Sequence, residues 1–363
     1  MAVEALFSPF AHKSLRVRNR IAMASMARWA TPGGDPAPLA DFYRRRVEGG
    51  AGLILTEGVT MDRPSAGNDP NSLKLYGGAL ESWPAVIAAV HEAGGAIVPQ
   101  LWHCGATAKP GSRWTPPAPH ESPSGLQAPG IARGVAMDEI AILETIAAYV
   151  AAAETAQALG CDAIEIHAGH GYLLDQFLWE ATNLRTDPWG GPTLIDRSAF
   201  PLTIVRAVRE AVGADFTLLL RISQWKSADL TARLVKTPVG LEAWLTPFVE
   251  AGIDIISISQ LRWDEVEFEG SPLSLAGWVK KVTGVPTIVA GAVGMTGDFI
   301  KTFSGETGRP EGVDAVAERI DSGEFDMVAV GRALLADADW ADRVRTGAER
   351  SECSQADLLA GLV

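Results

Sequence analysis

Ile164-Glu165-Ile166-His167-Ala168-Gly169-His170-Gly171-Tyr172 reads as a buried strand that breaks at a glycine-rich corner. Its first half belongs to Ala163–His167, one of eight short runs rich in apolar and β-branched residues. The others are Ile21–Met26, Gly52–Glu57, Ala96–Leu101, Thr217–Ile222, Ile253–Ser259, Pro286–Ala290 and Asp326–Val330. Runs of this kind, apolar on both faces, suit parallel strands covered on either side. Helical patterns fall between them. Leu39–Val47 stops at Gly49-Gly50, and Glu81–Ala93 stops at Gly94-Gly95. Asp138 is a plausible N-cap before Leu143, Ile146, Ala147 and Val150, which have helical spacing. Leu241–Glu250, Pro272–Val282 and Val313–Asp321 complete the series. Strand–helix alternation repeated eight times predicts an α/β fold of the (β/α)₈ TIM-barrel type. The alternative is an open doubly wound sheet, against which stands the lack of a G-x-G-x-x-G after the first strand.

At 363 residues the chain fits one large barrel domain over 1–363, since barrels with insertions run past about 250 residues. Two segments, 103–137 and 170–196, exceed the usual βα-loop length of about 2–6 residues. Both follow strands and so belong at the C-terminal face of the barrel, where active sites form. The first, rich in Pro, Gly and Ser, is expected to be a capping or lid insertion.

Composition narrows the function. Asp and Glu number 44 against 31 Lys and Arg, a net charge of −13. That argues against a nucleic-acid partner, which demands a basic surface, and against an anionic membrane surface. Cys104, Cys161 and Cys353 are scattered and form no C-x-x-C pair, so a thiolate zinc site or iron–sulfur cluster is not expected. Their usage fits a reducing cytoplasm. The N-terminus lacks the basic and apolar regions of a signal peptide, and no stretch reaches 18 apolar residues.

The chemistry lies at the strand ends. His167, His170 and Tyr172 place two imidazoles and a phenol within six residues. Three donors at a rigid corner suit a site that grips an oxygen atom and delivers a proton. A phenol of ordinary pKa about 10 stays protonated at neutral pH and can act as the acid. Arg221 ends an otherwise apolar strand, and Gln100 lies on the third. Arg221 is read either as paired with an internal carboxylate or as facing the electron-rich edge of a cofactor, and Gln100 either as a core hydrogen-bonder or as a ring-edge ligand. Trp29 and Trp102 are ordinary packing or flat pocket walls. Gly291-Ala292 and Gly331-Arg332 follow strands seven and eight. They are turn geometry or a phosphate cradle, with exposed backbone N–H groups and a guanidinium clamp.

His167-Ala-Gly-His170-Gly-Tyr172-Leu-Leu-Asp-Gln-Phe-Leu, followed by Asn183-Leu-Arg-Thr-Asp-Pro-Trp-Gly-Gly, resembles the signature of the Old Yellow Enzyme family. Leu6-Phe7-Ser8-Pro9, Asn19-Arg20-Ile21, Pro99-Gln-Leu-Trp102 and Val330-Gly-Arg332 extend the resemblance nearly end to end. It implies a flavin-dependent ene-reductase on a (β/α)₈ barrel, with non-covalent FMN and NADH or NADPH as hydride donor. Contacts to the flavin ring would come from Ala24, Ser25, Met26, Ala27, Gly58, Gln100, His167 and Arg221, and contacts to its phosphate from Gly291, Ala292, Gly331 and Arg332. By the same resemblance, His167 and His170 hold the activating oxygen of the substrate, Tyr172 is the proton donor, and Trp29 and Trp102 wall the substrate pocket. The implied reaction is ping-pong. Hydride passes from the nicotinamide to the flavin, then to Cβ of an enone, enal, nitroalkene or maleimide, and Tyr172 protonates Cα. A monomer or homodimer is expected.

Three positions depart from the family pattern: Ala27, where relatives carry Thr or Cys; Trp29, where some carry Tyr; and Arg28. Relatives of the trimethylamine-dehydrogenase or dienoyl-CoA-reductase type carry a cysteine cluster that this sequence lacks. A different class, a non-flavin phosphate-binding barrel lyase or isomerase, would use a barrel lysine such as Lys226 or carboxylates such as Glu57 and Glu165.

Overall fold

A computed structural model describes residues 2–109 and 111–362. Eight strands form its centre: β1 (Ile21–Met23), β2 (Leu53–Thr60), β3 (Ala96–Leu101), β4 (Ala163–His170), β5 (Thr217–Lys226), β6 (Ile255–Ser259), β7 (Thr287–Ala290) and β8 (Met327–Val330). Each runs parallel to the next. β8 returns to pair with β1 at Val328↔Ile21, which closes the barrel. Helices α1 (Leu39–Glu48), α2 (Trp83–Glu92), α3 (Glu139–Ala158), α4 (Ala199–Val212), α5 (Pro238–Glu250), α6 (Leu275–Thr283), α7 (Asp314–Asp321) and α8 (Trp340–Thr346) follow the strands in turn. The expected (β/α)₈ barrel is the observed fold.

The strands read as apolar on both faces because two cores flank them. Inside the barrel, Ala22, Leu53, Leu55, Val98, Leu219, Ile255, Ile288 and Met327 fill the lumen. Outside, Ile54, Ile97, Ile164, Ile166, Leu218, Ile256 and Val328 pack against the helices. An N-terminal hairpin, Phe10–His12 with Leu15–Val17, plugs the lower end with fully buried Leu15.

Boundaries differ from the sequence expectation in informative ways. β1 stops at Met23, so residues 24–30 are released as loop. β4 and β5 continue past the glycine corner, since pairing resumes beyond a bulge at His170↔Lys226. Asp138 caps α3 as expected, accepting from the Ala141 amide at 2.8 Å. The buried face, however, holds Ile142, Thr145, Ile146 and Tyr149, while Leu143 is 53% exposed. The phase was misread by one residue because an alanine-rich helix is apolar all round. Neither α4 nor α8 is marked by the helical patterns read from the sequence.

Neither long insertion is a bare loop. Within 103–137, Glu121–Ser122 pairs with Val135–Ala136, and Leu126–Ala128 forms a hairpin with Ile131–Ala132. Glu121 pins the base: its carboxylate accepts from Arg63 at 2.5 Å, Ser65 at 2.6 Å and His103 at 3.2 Å. Within 170–196, Leu173–Leu178 is a wholly buried helical turn.

Candidate active site

Beyond the C-terminal ends of β1 to β5 lies a cleft. The loop after β1 contributes Ser25, Ala27 and Trp29, and β2 contributes Glu57 and Gly58. β3 and its end give Gln100 and Trp102, the β4 corner gives His167, His170 and Tyr172, and β5 gives Arg221. Ten of the expected residues thus meet in one space. Gly58 packs closely there: a Cβ at its position would stand 3.0 Å from Trp102 Cγ, and the indole would have to give way.

The β4 corner is built for presentation. His170 has φ +63°, a left-handed conformation uncommon outside glycine, and Gly171 follows at φ +81°. This reversal turns both imidazoles and the phenol to one side. The ring centroids of His167 lie 4.9 Å from His170 and 5.3 Å from Tyr172, while Trp102 meets Tyr172 edge-on at 5.2 Å. Nδ1 of His167 and Nε2 of His170 are buried without a protein partner. Burial, reinforced by the Arg221 guanidinium, holds the pKa of His167 well below the usual imidazole range. For His170, burial acts first, then His167, Arg221 and Lys226. Both rings are neutral at pH 7, each with one N–H to offer. Burial raises the Tyr172 phenol to about 12, so it keeps its proton.

The opposite wall is polar and ordered. Ser25 Oγ donates to Gln100 Oε1 at 2.8 Å, and Gln100 Nε2 donates to Glu165 Oε1 at 2.6 Å. Arg221 is 4% exposed and makes a long bond of 3.5 Å to Ser257 Oγ. Glu165 is its nearest compensating charge, with no ion pair between them among the described contacts. A buried guanidinium so lightly bonded suits an electron-rich ligand edge.

Ala24, Met26, Gly291, Ala292, Gly331 and Arg332 lie outside the cleft lining. They continue from it across the barrel top. A Cβ at Gly331 would sit 3.2 Å from Met26 Sδ and 3.9 Å from Ala24 Cβ. Gly291 has φ +149° and Ala292 φ +51°. A Cβ at Gly291 would meet Gln260 O at 2.7 Å, so the turn admits only glycine. Gly331 caps the helical turn Arg332–Ala336 with no side chain, which leaves its first amides open to an anion. Arg332 stands at the start of that turn. Its guanidinium binds Thr302 Oγ1 at 2.7 Å and Gly297 O at 2.6 Å, stapling the 296–302 loop. A planar ring at the cleft and an anion at these turns fit a flavin mononucleotide.

Known proteins agree. The sequence model of the NADH:flavin oxidoreductase / NADH oxidase family matches residues 5–351.

The chain belongs to this family, that of Old Yellow Enzyme.

Membership implies FMN as the cofactor. NADH oxidase of Thermoanaerobacter brockii is 32% identical over 358 residues, which cover 94% of this chain and 51% of that protein. 12-Oxophytodienoate reductase 7 of Oryza sativa subsp. japonica is 30% identical, with 94% and 88% covered. The structure of morphinone reductase superposes with a TM-score of 0.78 at 25% identity, covering 98% of this chain and 93% of that one. The chain spans about half the length of the first curated relatives it matches.

Against the Old Yellow Enzyme pattern, the structure accounts for Arg28. Its guanidinium reaches away from the cleft to the carbonyls of Leu358, at 2.9 Å, and of Ala360, fastening the C-terminal helical turn Gln355–Leu359. Its own amide and that of Trp29 donate to Glu57 Oε2 at 2.9 and 3.4 Å. Trp29 is thereby held at φ +48°, with the Lys109 ammonium 4.2 Å above its ring. Glu57, which the sequence offers only to the non-flavin alternative, and Ser72, which it does not mark, also line the cleft. Glu57 buries one unpartnered oxygen, and desolvation raises its pKa to about 7. Lys226, the lysine that an aldolase-like reading needs, is fully buried against Asp175 at 2.6 Å and does not line the cleft.

Proposed function

We propose that this protein reduces the C=C bond of activated alkenes at the expense of NADH or NADPH. The observation that carries the reading is the pair of buried, unpartnered imidazole nitrogens of His167 and His170, facing one cleft with a protonated Tyr172. FMN, when bound, supplies the ring that takes hydride from the nicotinamide and returns it to Cβ. Ser25, Ala27, Gly58, Gln100 and Arg221 would hold that ring, and Arg221 would balance the negative charge it gains. Ala24 and Met26 would lie along it toward the cradle at Gly291, Ala292 and Gly331.

His167 and His170, being neutral, donate N–H bonds to the carbonyl or nitro oxygen that activates the alkene. Donors already fixed in place stabilise charge that grows on that oxygen without reorganisation. Tyr172 then donates its proton to Cα. A phenol at about 12 holds its proton until a carbon base forms beside it. Trp29 and Trp102 confine the substrate to a planar slot, and the insertion 103–137 forms its rim.

The test is to purify the protein, identify its flavin, and assay 2-cyclohexen-1-one, a nitroalkene and a maleimide with each nicotinamide. The reading predicts bound FMN and saturated products. A flavin-bound protein that oxidises NADH yet leaves all three alkenes intact overturns it.

A further inference from the structure

The β4 corner rests on a device of which its motif contains only one half, Asp175. We propose that the buried Asp175–Lys226 ion pair is a positioning element that anchors the Gly171 amide, and so sets the His170 imidazole and the Tyr172 phenol relative to one another. The functional part of this inference rests on the alkene-reductase reading above.

Asp175 lies in the helical turn after the corner, and Lys226 is the last residue of β5. Both side chains are 0% exposed, with Nζ 2.6 Å from Oδ1. Stability alone is a poor reason for such a pair. Two charges lose their hydration, and apolar residues of similar volume often serve as well or better. The placement supplies another reason. The second carboxylate oxygen, Oδ2, accepts from the Gly171 amide at 2.7 Å. Gly171 is the one residue between His170 and Tyr172. Lys226, for its part, is the backbone partner of His170 across the bulge. The pair therefore joins the elements on either side of the corner through the residue that separates its two working side chains.

The His170 side of the corner is held by its own contacts. His170 N donates to Ser223 Oγ at 2.8 Å, and its carbonyl accepts from the Ser227 amide and hydroxyl. Trp225 stacks on the imidazole with centroids 4.3 Å apart. Ser223, Trp225 and Ser227 flank Lys226 in the chain, and Lys226 Nζ also reaches Ser223 O at 3.4 Å. A left-handed residue persists only where its surroundings over-determine it. Here those surroundings come from the overshoot of β5 that the bulge makes possible. Neither Asp175 nor Lys226 lines the cleft, so both act through the corner and not on substrate.

Single variants would strand a buried charge, so the test uses two neutral pairs. D175N/K226M keeps an acceptor for the Gly171 amide, whereas D175L/K226M removes it. Both should fold and bind flavin, as judged by melting and by the flavin spectrum. Amide hydrogen exchange at Gly171 should stay slow in the native protein and in D175N/K226M. It should accelerate at least tenfold in D175L/K226M. In turnover of 2-cyclohexen-1-one with NADH, D175N/K226M should keep KM and kcat within threefold of native. D175L/K226M should raise KM at least tenfold through the misplaced His170, and lower kcat through Tyr172. Native exchange or native kinetics in D175L/K226M overturns the proposal. Should the native protein leave the enone untouched, the alkene-reductase reading fails, while the exchange at Gly171 still decides the anchoring.

Discussion

Tyr172 is where the chemistry can be isolated with least disturbance. It is buried, protonated and makes edge-on contacts with Trp102 and His167 that phenylalanine would keep. Tyr172→Phe should therefore slow alkene reduction by about 10²–10⁴-fold, the usual worth of a positioned acid. Reduction of the flavin by NADH should be unchanged, and equal losses in both half-reactions in stopped flow would remove Tyr172 from the donor role. Ala27 makes the complementary case. It lines the cleft but offers no hydrogen bond. Ala27→Thr should raise the potential of the bound flavin, and an unshifted potential would reject that account of the departure. His167, His170, Tyr172, Gln100 and Arg221 were legible in the sequence because each puts a polar group at the end of an apolar strand. Glu57 was not, although it lay in view at the end of the second run. Its partners are the amides of 28 and 29 in the loop after β1, a long-range pairing that no side-chain pattern marks.

Elements were legible where one side chain decides a boundary and illegible where pairing does. Asp138 fixed the start of α3 by its own hydrogen bond, and Asp138→Ala should cost about 1 kcal/mol in chemical denaturation. The extension of β4 and β5 depends on a bulge that no periodicity marks. The insertion 103–137 read as loop because its strands are only two or three residues long, and what fixes it is a carboxylate. Glu121→Ala leaves Arg63, Ser65 and His103 without their shared acceptor. Arg63 keeps Glu144 at 2.9 Å, so stability should fall by about 1–3 kcal/mol, the cost of leaving buried polar donors unsatisfied. Limited proteolysis should then cut first within 111–136, and cleavage elsewhere first would show that the insertion is held by other contacts.

At the scale of the molecule the barrel was legible because eight two-sided apolar runs have few other ways to be covered on both faces. Its acid behaviour is set by buried imidazoles. Burial depresses His103, His167 and His170, and holds His120 at about 4. An unfolded chain would protonate all four near the ordinary value of about 6.5. Their contribution is thus intact above that value and lost as pH falls below it. Glu57, Asp175 and Glu267, raised by burial, act in the opposite sense but are fewer. The melting temperature should be lower at pH 5.5 than at pH 7, and a flat profile would mean that the imidazoles titrate as if exposed. The two ends of the chain differ in a way that matters at the bench. The first residues pack on α7 and α8, by the plugged end of the barrel. The last ones hang from Arg28, whose neighbours Ala27 and Trp29 wall the cleft. An affinity tag or fused reporter belongs at the N-terminus. Joined after Val363, it would load the segment that Arg28 fastens beside the entrance wall.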